Sequence, residues 1–131
     1  MILIDTSAWI EFLRDTGSST CEAVDRLLSE DVAICDAVRM EILAGARDDA
    51  HLQRLRGLLA RATLLMTDTA DYETAAALYR SCRRQGGTVR KLIDCLIAAV
   101  AIREHVAVLH RDADFELLAR HTALQVHDVT H

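Results

Sequence analysis

The chain has 131 residues, is 51% hydrophobic and carries 15 basic against 20 acidic side chains, a formal charge of −5. That length suits one domain spanning 1–131, able to bury about two-thirds of its unfolded surface, and the hydrophobic content excludes disorder. The charge excludes a protein whose whole surface coats nucleic acid, though not a nuclease, whose metal-binding acids count against the total until the metal arrives.

Within Met1–Ser7, Ile2-Leu3-Ile4 reads as a short buried strand, and Asp5 stands at its end, followed by Thr6 and Ser7 as hydroxyl caps for the next helix. That helix spans Ala8 to about Asp15 with Trp9, Ile10 and Leu13 inward, and Thr16-Gly17-Ser18 breaks it. Ser19 and Glu22 have capping-box spacing and open a helix through Leu27 and Leu28. Val32–Cys35 is a second apolar strand, after which Asp36 caps a helix that carries Glu41 and stops at Gly45. An amphipathic helix over 48–61 buries Leu52, Leu55, Leu58 and Leu59. Thr63–Met66 is a third strand, and Asp71 starts a helix that Gly86-Gly87 ends.

The stretch 80–91 holds Arg80, Arg83, Arg84, Arg90 and Lys91 and no acid, with two glycines that let backbone approach a ligand. It lacks the order of a phosphate-cradling P-loop and reads as either a solvated basic loop or a contact for backbone phosphates. Leu92 to about His105 is the most apolar helix, and Asp94 lies in its first turn among Ile93, Cys95, Leu96 and Ile97. A carboxylate there is costly to bury without a cation partner. Val106–Leu109 is a fourth strand that leads into His110-Arg111-Asp112-Ala113-Asp114-Phe115. Asp114 could cap the following helix, whereas Asp112 has no such role; a last short strand lies near 124–126.

The four cysteines, Cys21, Cys35, Cys82 and Cys95, form no CxxC pair and read as small apolar core residues. His127 and His131 have the spacing of a helical metal pair but sit in a polar tail without an acid or thiol partner. No apolar run approaches the roughly 20 residues of a membrane span, and no basic stretch leads an apolar signal segment; a cytoplasmic protein is expected.

Strands that alternate with helices imply an α/β fold, a central and mainly parallel sheet covered by helices on both faces. In such a sheet Asp5, Glu41, Asp94 and the Asp112/Asp114 pair all gather at one rim, beyond the carboxyl ends of the strands. Two like charges about 4 Å apart repel by about 4 kcal/mol at an effective dielectric near 20, so the cluster must spread, hold protons or bind a cation. All-oxygen ligation suits Mg²⁺ or Mn²⁺.

The ordered set Ile4-Asp5-Thr6-Ser7, Glu41-Ile42-Leu43-Ala44-Gly45, Asp94 with Ile97-Ala98-Ala99, and Asp112-Ala113-Asp114-Phe115 resembles the PIN-domain ribonucleases, and in size and motif order the VapC-type toxins of type II toxin–antitoxin pairs. The resemblance implies a three-layer α/β/α fold and Mg²⁺, with Mn²⁺ as a substitute, held by Asp5, Glu41, Asp94 and an acid of the late pair. Thr6 or Ser7 would support the first carboxylate. It further implies RNA cleavage by metal-activated water, a homodimer and restraint by a VapB-like antitoxin. The family often has one acid in the last motif; this chain has two. Arg80, Arg83, Arg84, Arg90, Lys91 and Arg111 are then the expected RNA contacts. Two other readings compete. A phosphatase-type hydrolase with Asp5 as nucleophile needs a second acid where Ser7 stands and a lysine poised against the late acids, and none is obvious. The other is a metal- or RNA-binding module without catalysis.

Overall fold

The structure is a computed structural model that describes residues 1–129. Four short strands, β1 (Ile2–Ile4), β2 (Val32–Cys35), β3 (Thr63–Leu65) and β4 (Ala107–Leu109), pair in the order β3-β2-β1-β4. All three pairings are parallel: Ile2 lies opposite Val32 and Ala107, and Ala33 lies opposite Thr63. β2 is buried along its whole length, as a near-continuous apolar run in a helix-covered parallel sheet requires. β3 is an edge strand and leaves Thr63 and Leu64 exposed. The fourth strand and the edge strand are each one residue shorter than expected, and the 124–126 segment contributes a single bridge from Val126 to Val108. His131 lies outside the described residues.

Among the described residues six helices connect the strands, α1 (Thr6–Leu13), α2 (Ser19–Leu27), α3 (Asp36–Ala44), α4 (Asp49–Leu59), α5 (Thr69–Arg84) and α6 (Leu92–Arg103), and a seventh, α7 (Ala113–His121), follows β4. The core is one cluster that runs from Leu3, Ile4 and Trp9 through Ile34 and Ile97 to Phe115 and Leu118. All four cysteines are free and buried in it or beside it. The middle of α6 is apolar because it is buried: Cys95 and every residue from Ile97 to Ala101 are inaccessible or nearly so, while Leu92 at its start is exposed.

Several caps differ from expectation. Ser18, not Ser19, caps α2, its hydroxyl accepting the Cys21 N–H at 3.0 Å. Cys35 holds the cap position of α3 without a side-chain bond, and Asp36 accepts the N–H and hydroxyl of Thr67, fastening the loop after β3 to the start of α3. Asp68 caps α5 in a capping box whose other member is Asp71. Leu13 is 41% exposed, because the last turn of α1 overhangs a groove. Gly86-Gly87 ends α5 in a Schellman turn, Gly87 N–H to Cys82 O at 3.0 Å and Gly86 N–H to Arg83 O at 3.1 Å, with Gly86 at φ +89°. A Cβ on Gly87 would stand 2.6 Å from Leu117 Cδ1, so this glycine brings the turn close to α7, not to a ligand.

Asp71 is buried and held by Arg103, whose Nε and Nη2 approach its carboxylate at 3.0 and 2.9 Å while Nη2 also donates to Met66 O at 2.8 Å. The guanidinium keeps the Asp71 carboxyl below its ordinary value against the opposing effect of burial. Arg103→Ala should cost about 3 kcal/mol in urea denaturation, the low end for stranding a buried charge, because 35% of the arginine side chain stays in water. The contribution is present above the unfolded carboxylate pKa of about 3.9 and is lost as pH falls through the lower folded value.

Candidate metal centre

Asp5 ends β1 and caps α1: its Oδ2 accepts the Ser7 N–H at 3.0 Å and the Ser7 hydroxyl at 2.6 Å. Its Oδ1 is buried and has no partner. Capping thus occupies only half of this carboxylate. Asp94, in the first turn of α6, is 3% exposed, and its Oδ2 likewise has no hydrogen bond. Asp94, Asp112 and Asp114 each present an oxygen, and the three oxygens lie within 4.8 Å of one another.

The late pair takes roles opposite to those expected. Asp112 caps α7, its Oδ1 accepting the Asp114 N–H at 2.9 Å. Asp114 is 3% exposed and accepts the backbone N–H groups of Arg90 and Lys91 at 3.1 and 3.0 Å, which locks the loop before α6 onto α7. Glu41 of α3 joins the rim through Thr6, whose hydroxyl donates to its Oε1 at 2.7 Å. Ser7 therefore serves Asp5, while Thr6 serves Glu41.

The electrostatics follow from this crowding. Burial, then the negative charge of Asp5, pushes Asp94 up to about 8, with Lys91 opposing. Burial also raises Asp5, against its bonds to Ser7. Burial would raise Asp112 too, but the Lys91 ammonium and the Asp114 N–H together outweigh it, and the carboxyl sits below its ordinary value. Lys91 Nζ contacts Asp112 Oδ2 and lies 3.7 Å from Asp94 Oδ2, so it rests over the acids as a tethered counter-ion. This overturns the expectation that no lysine is poised against the late acids. The other objection to a phosphatase-type site stands, since Ser7 occupies the place of the second acid.

The basic residues divide into two groups. Arg90 lies 3.8 Å from Asp112 and 3.7 Å from Asp114, and Arg111 pairs with Glu11 at 3.2 Å while its N–H donates to Ser7 Oγ. Arg80 and Arg83 line a groove with Arg90, whose guanidinium also reaches the acids, and Arg84 is exposed outside it. Sequence reading missed His110. Its Nδ1 accepts the Asp112 N–H at 3.1 Å, which puts its proton on Nε2, 3.0 Å from Glu116. A histidine between a strand and an acid two residues on was the available signal.

Two buried carboxylate oxygens without a hydrogen bond, one of them on a member of the three-acid cluster, fit a hard divalent cation, which wants oxygen donors and meets the charge that burial makes costly. A parallel sheet with this acid rim defines a class. Residues 2–121 match the PIN domain model, and the chain belongs to the PIN-domain family. Within that family it is of the VapC type. It is 50% identical over 129 residues to ribonuclease VapC11 of Mycobacterium tuberculosis, across 95% of this chain and 96% of that protein. Among solved structures, VapBC-1 from nontypeable Haemophilus influenzae superposes with a TM-score of 0.77 at 20% identity, covering 100% of both chains. A toxin–antitoxin complex from Klebsiella pneumoniae gives 0.70 at 24%, covering 88% of this chain and 90% of that one. At those identities the structural likeness speaks for the fold alone. The family that the ordered acids resemble is thus the family to which the chain belongs.

Proposed function

We propose that this protein is a metal-dependent endoribonuclease acting as the toxin of a toxin–antitoxin pair in the cytoplasm. The observation that carries the reading is the pair of buried oxygens without a hydrogen bond on Asp5 and Asp94, in a PIN-domain chain 50% identical to a named ribonuclease. Asp5, Asp94 and Asp112 would hold Mg²⁺, or Mn²⁺ in its place, and Glu41 would assist through water. Asp114 supports them, since both of its oxygens already accept backbone N–H groups. The bound ion supplies an activated water and charge stabilisation at a phosphodiester.

The chain's own residues do the rest, without a protein general base. Ser7 aims Asp5, and Thr6 aims Glu41. Lys91, 55% exposed, is free to swing from Asp112 to an RNA phosphate once the acid's charge is met. Arg80, Arg83, Arg84, Arg90 and Arg111 contact phosphates around the rim. Single-stranded loops of structured RNA such as tRNA or rRNA are the substrates, because paired A-form RNA hides its base edges. Cleavage leaves a 5′-phosphate and a 3′-hydroxyl. The VapBC neighbours support a VapB-like antitoxin as partner, and exposed Tyr72 and Leu92 on adjoining helices support a homodimer.

The reading is tested by 5′-end mapping of total cellular RNA incubated with the protein in Mg²⁺, Mn²⁺ or EDTA. Discrete cuts that vanish in EDTA are expected; none in any metal would reject the nuclease. A finer prediction concerns support of the first acid. Ser7→Ala should leave the fold intact yet weaken Mn²⁺ binding, read by calorimetry, by about 10- to 100-fold, as loss of a residue that orients a metal ligand does.

A further inference from the structure

Asp5 is aimed by the Ser7 hydroxyl and Glu41 by that of Thr6. Asp112 stands between Arg111 and Ala113, neither of which offers a hydroxyl. Its carboxylate is nonetheless held in one direction: Oδ1 accepts the Asp114 N–H at 2.9 Å, and Oδ2 contacts the Lys91 ammonium. That direction follows from the path of residues 110–112, the short link between β4 and α7. Beyond Leu109 the sheet ends, and side chains take the N–H groups of Arg111 and Asp112 in its place.

These two anchors differ in kind. The Arg111 N–H donates to Ser7 Oγ at 2.9 Å, which ties the link to the residue that supports Asp5. The Asp112 N–H donates to His110 Nδ1 at 3.1 Å, on a ring two residues back in the chain. The ring is itself held from two sides. Phe115, fully buried, packs against it with centroids 5.3 Å apart and planes tilted by 36°. Nε2 lies 3.0 Å from Glu116 Oε1, and a carboxylate there draws the ring's proton to Nε2 and leaves Nδ1 free to accept. Only 7% of the side chain is exposed, so water is poorly placed to replace the bond to Asp112.

We propose that His110 is a positioning residue for the metal centre: by accepting the Asp112 N–H it fixes the turn from which Asp112 reaches the cation. The proposal rests on the metal reading of the acid rim and adds the group that orients one of its acids. His110 touches neither cation nor substrate and acts through Asp112 alone. Glu116 serves it in turn by setting the ring's tautomer. The competing role is a ring that only fills space over Phe115. The two roles separate because asparagine and glutamine each copy one nitrogen of imidazole. Asparagine Oδ1 stands in for Nδ1 and keeps the bond to Asp112, whereas glutamine reaches the place of Nε2 and loses it.

The test is calorimetric titration of the metal-free protein with Mn²⁺, comparing wild type, His110→Asn and His110→Gln. His110→Asn is expected to hold Mn²⁺ within about threefold of wild type and His110→Gln about tenfold more weakly, the lower end of the loss when a residue that orients a metal ligand is removed. Both variants lose the ring's packing on Phe115, so a purely space-filling role predicts equal affinities. Equal affinities, or the reverse order, would overturn the proposal. A second measurement holds even where a variant does not fold. Long-range ¹H–¹⁵N spectra of the histidine-labelled wild type at pH 8 should show His110 protonated on Nε2 and bare on Nδ1. A proton on Nδ1 would overturn the proposal, since that nitrogen could not then accept. If the wild type takes up Mn²⁺ and the two variants match each other, only the role of His110 fails. If the wild type takes up none, the metal reading of the rim fails and this inference with it.

Discussion

Asp94→Asn is expected to lower RNA cleavage by about three orders of magnitude while raising the melting temperature of the metal-free protein. The two effects share one cause. Asp94 is 3% exposed, has an oxygen without a hydrogen bond and shares its surroundings with Asp5 and Asp112. In the metal-free protein this carboxyl is a liability, since burial and the neighbouring negative charges disfavour its ionised form and holding it protonated at pH 7 costs stability, which an amide of the same shape avoids. In the working enzyme the same charge would help to hold the cation, and losing a single electrostatic contributor at a reacting centre reaches the 10²–10³ range. A merely structural Asp94 predicts the opposite pairing: activity retained, stability lowered. Measuring initial cleavage rates and thermal melts on the same preparations separates the two. Retained activity would sink the assignment of Asp94.

The second large effect is a proton released on metal binding. With Asp94 held at about 8, the metal-free site carries a proton at pH 7 that a cation must displace, because metal-binding carboxylates bind deprotonated. Apparent Mn²⁺ affinity should therefore rise about tenfold per pH unit between pH 6 and 8 and level off above. Calorimetry in two buffers of different ionisation enthalpy should count about one proton released at pH 7. The stability of the metal-free protein follows the reverse sign. The folded pKa of Asp94 lies above its unfolded value, so its contribution is fully present in acid and declines as pH climbs from about 4 to 8. Asp112 is lowered, so its contribution opposes this, being present above the unfolded value and lost in acid. Affinity independent of pH across this range would show that Asp94 is not a ligand.

The rim was legible in the sequence because its acids follow strands directly: Asp5 after β1, and Asp112 and Asp114 after β4. Strand ends on a parallel sheet meet at one edge whatever the details of packing. The division of labour within the late pair was not legible. Either acid has the chemistry of a cap, and only the arrival of the Arg90–Lys91 backbone from another part of the chain shows that Asp114 is spoken for. Lys91 was invisible as a counter-ion for the same reason, since its partners Asp112 and Asp94 lie on two different helices. Leu13 has the inward spacing of Trp9 but ends its helix over open space, which periodicity alone does not report.

The central claim is that the acid rim holds a divalent cation. Diffraction from crystals soaked in Mn²⁺, collected at the manganese edge, tests it without reference to activity or substrate. An anomalous peak among Asp5, Asp94 and Asp112, with the Lys91 ammonium displaced from Asp112, is the expected result. A rim without such a peak at saturating Mn²⁺, with Lys91 still on Asp112, would contradict the account.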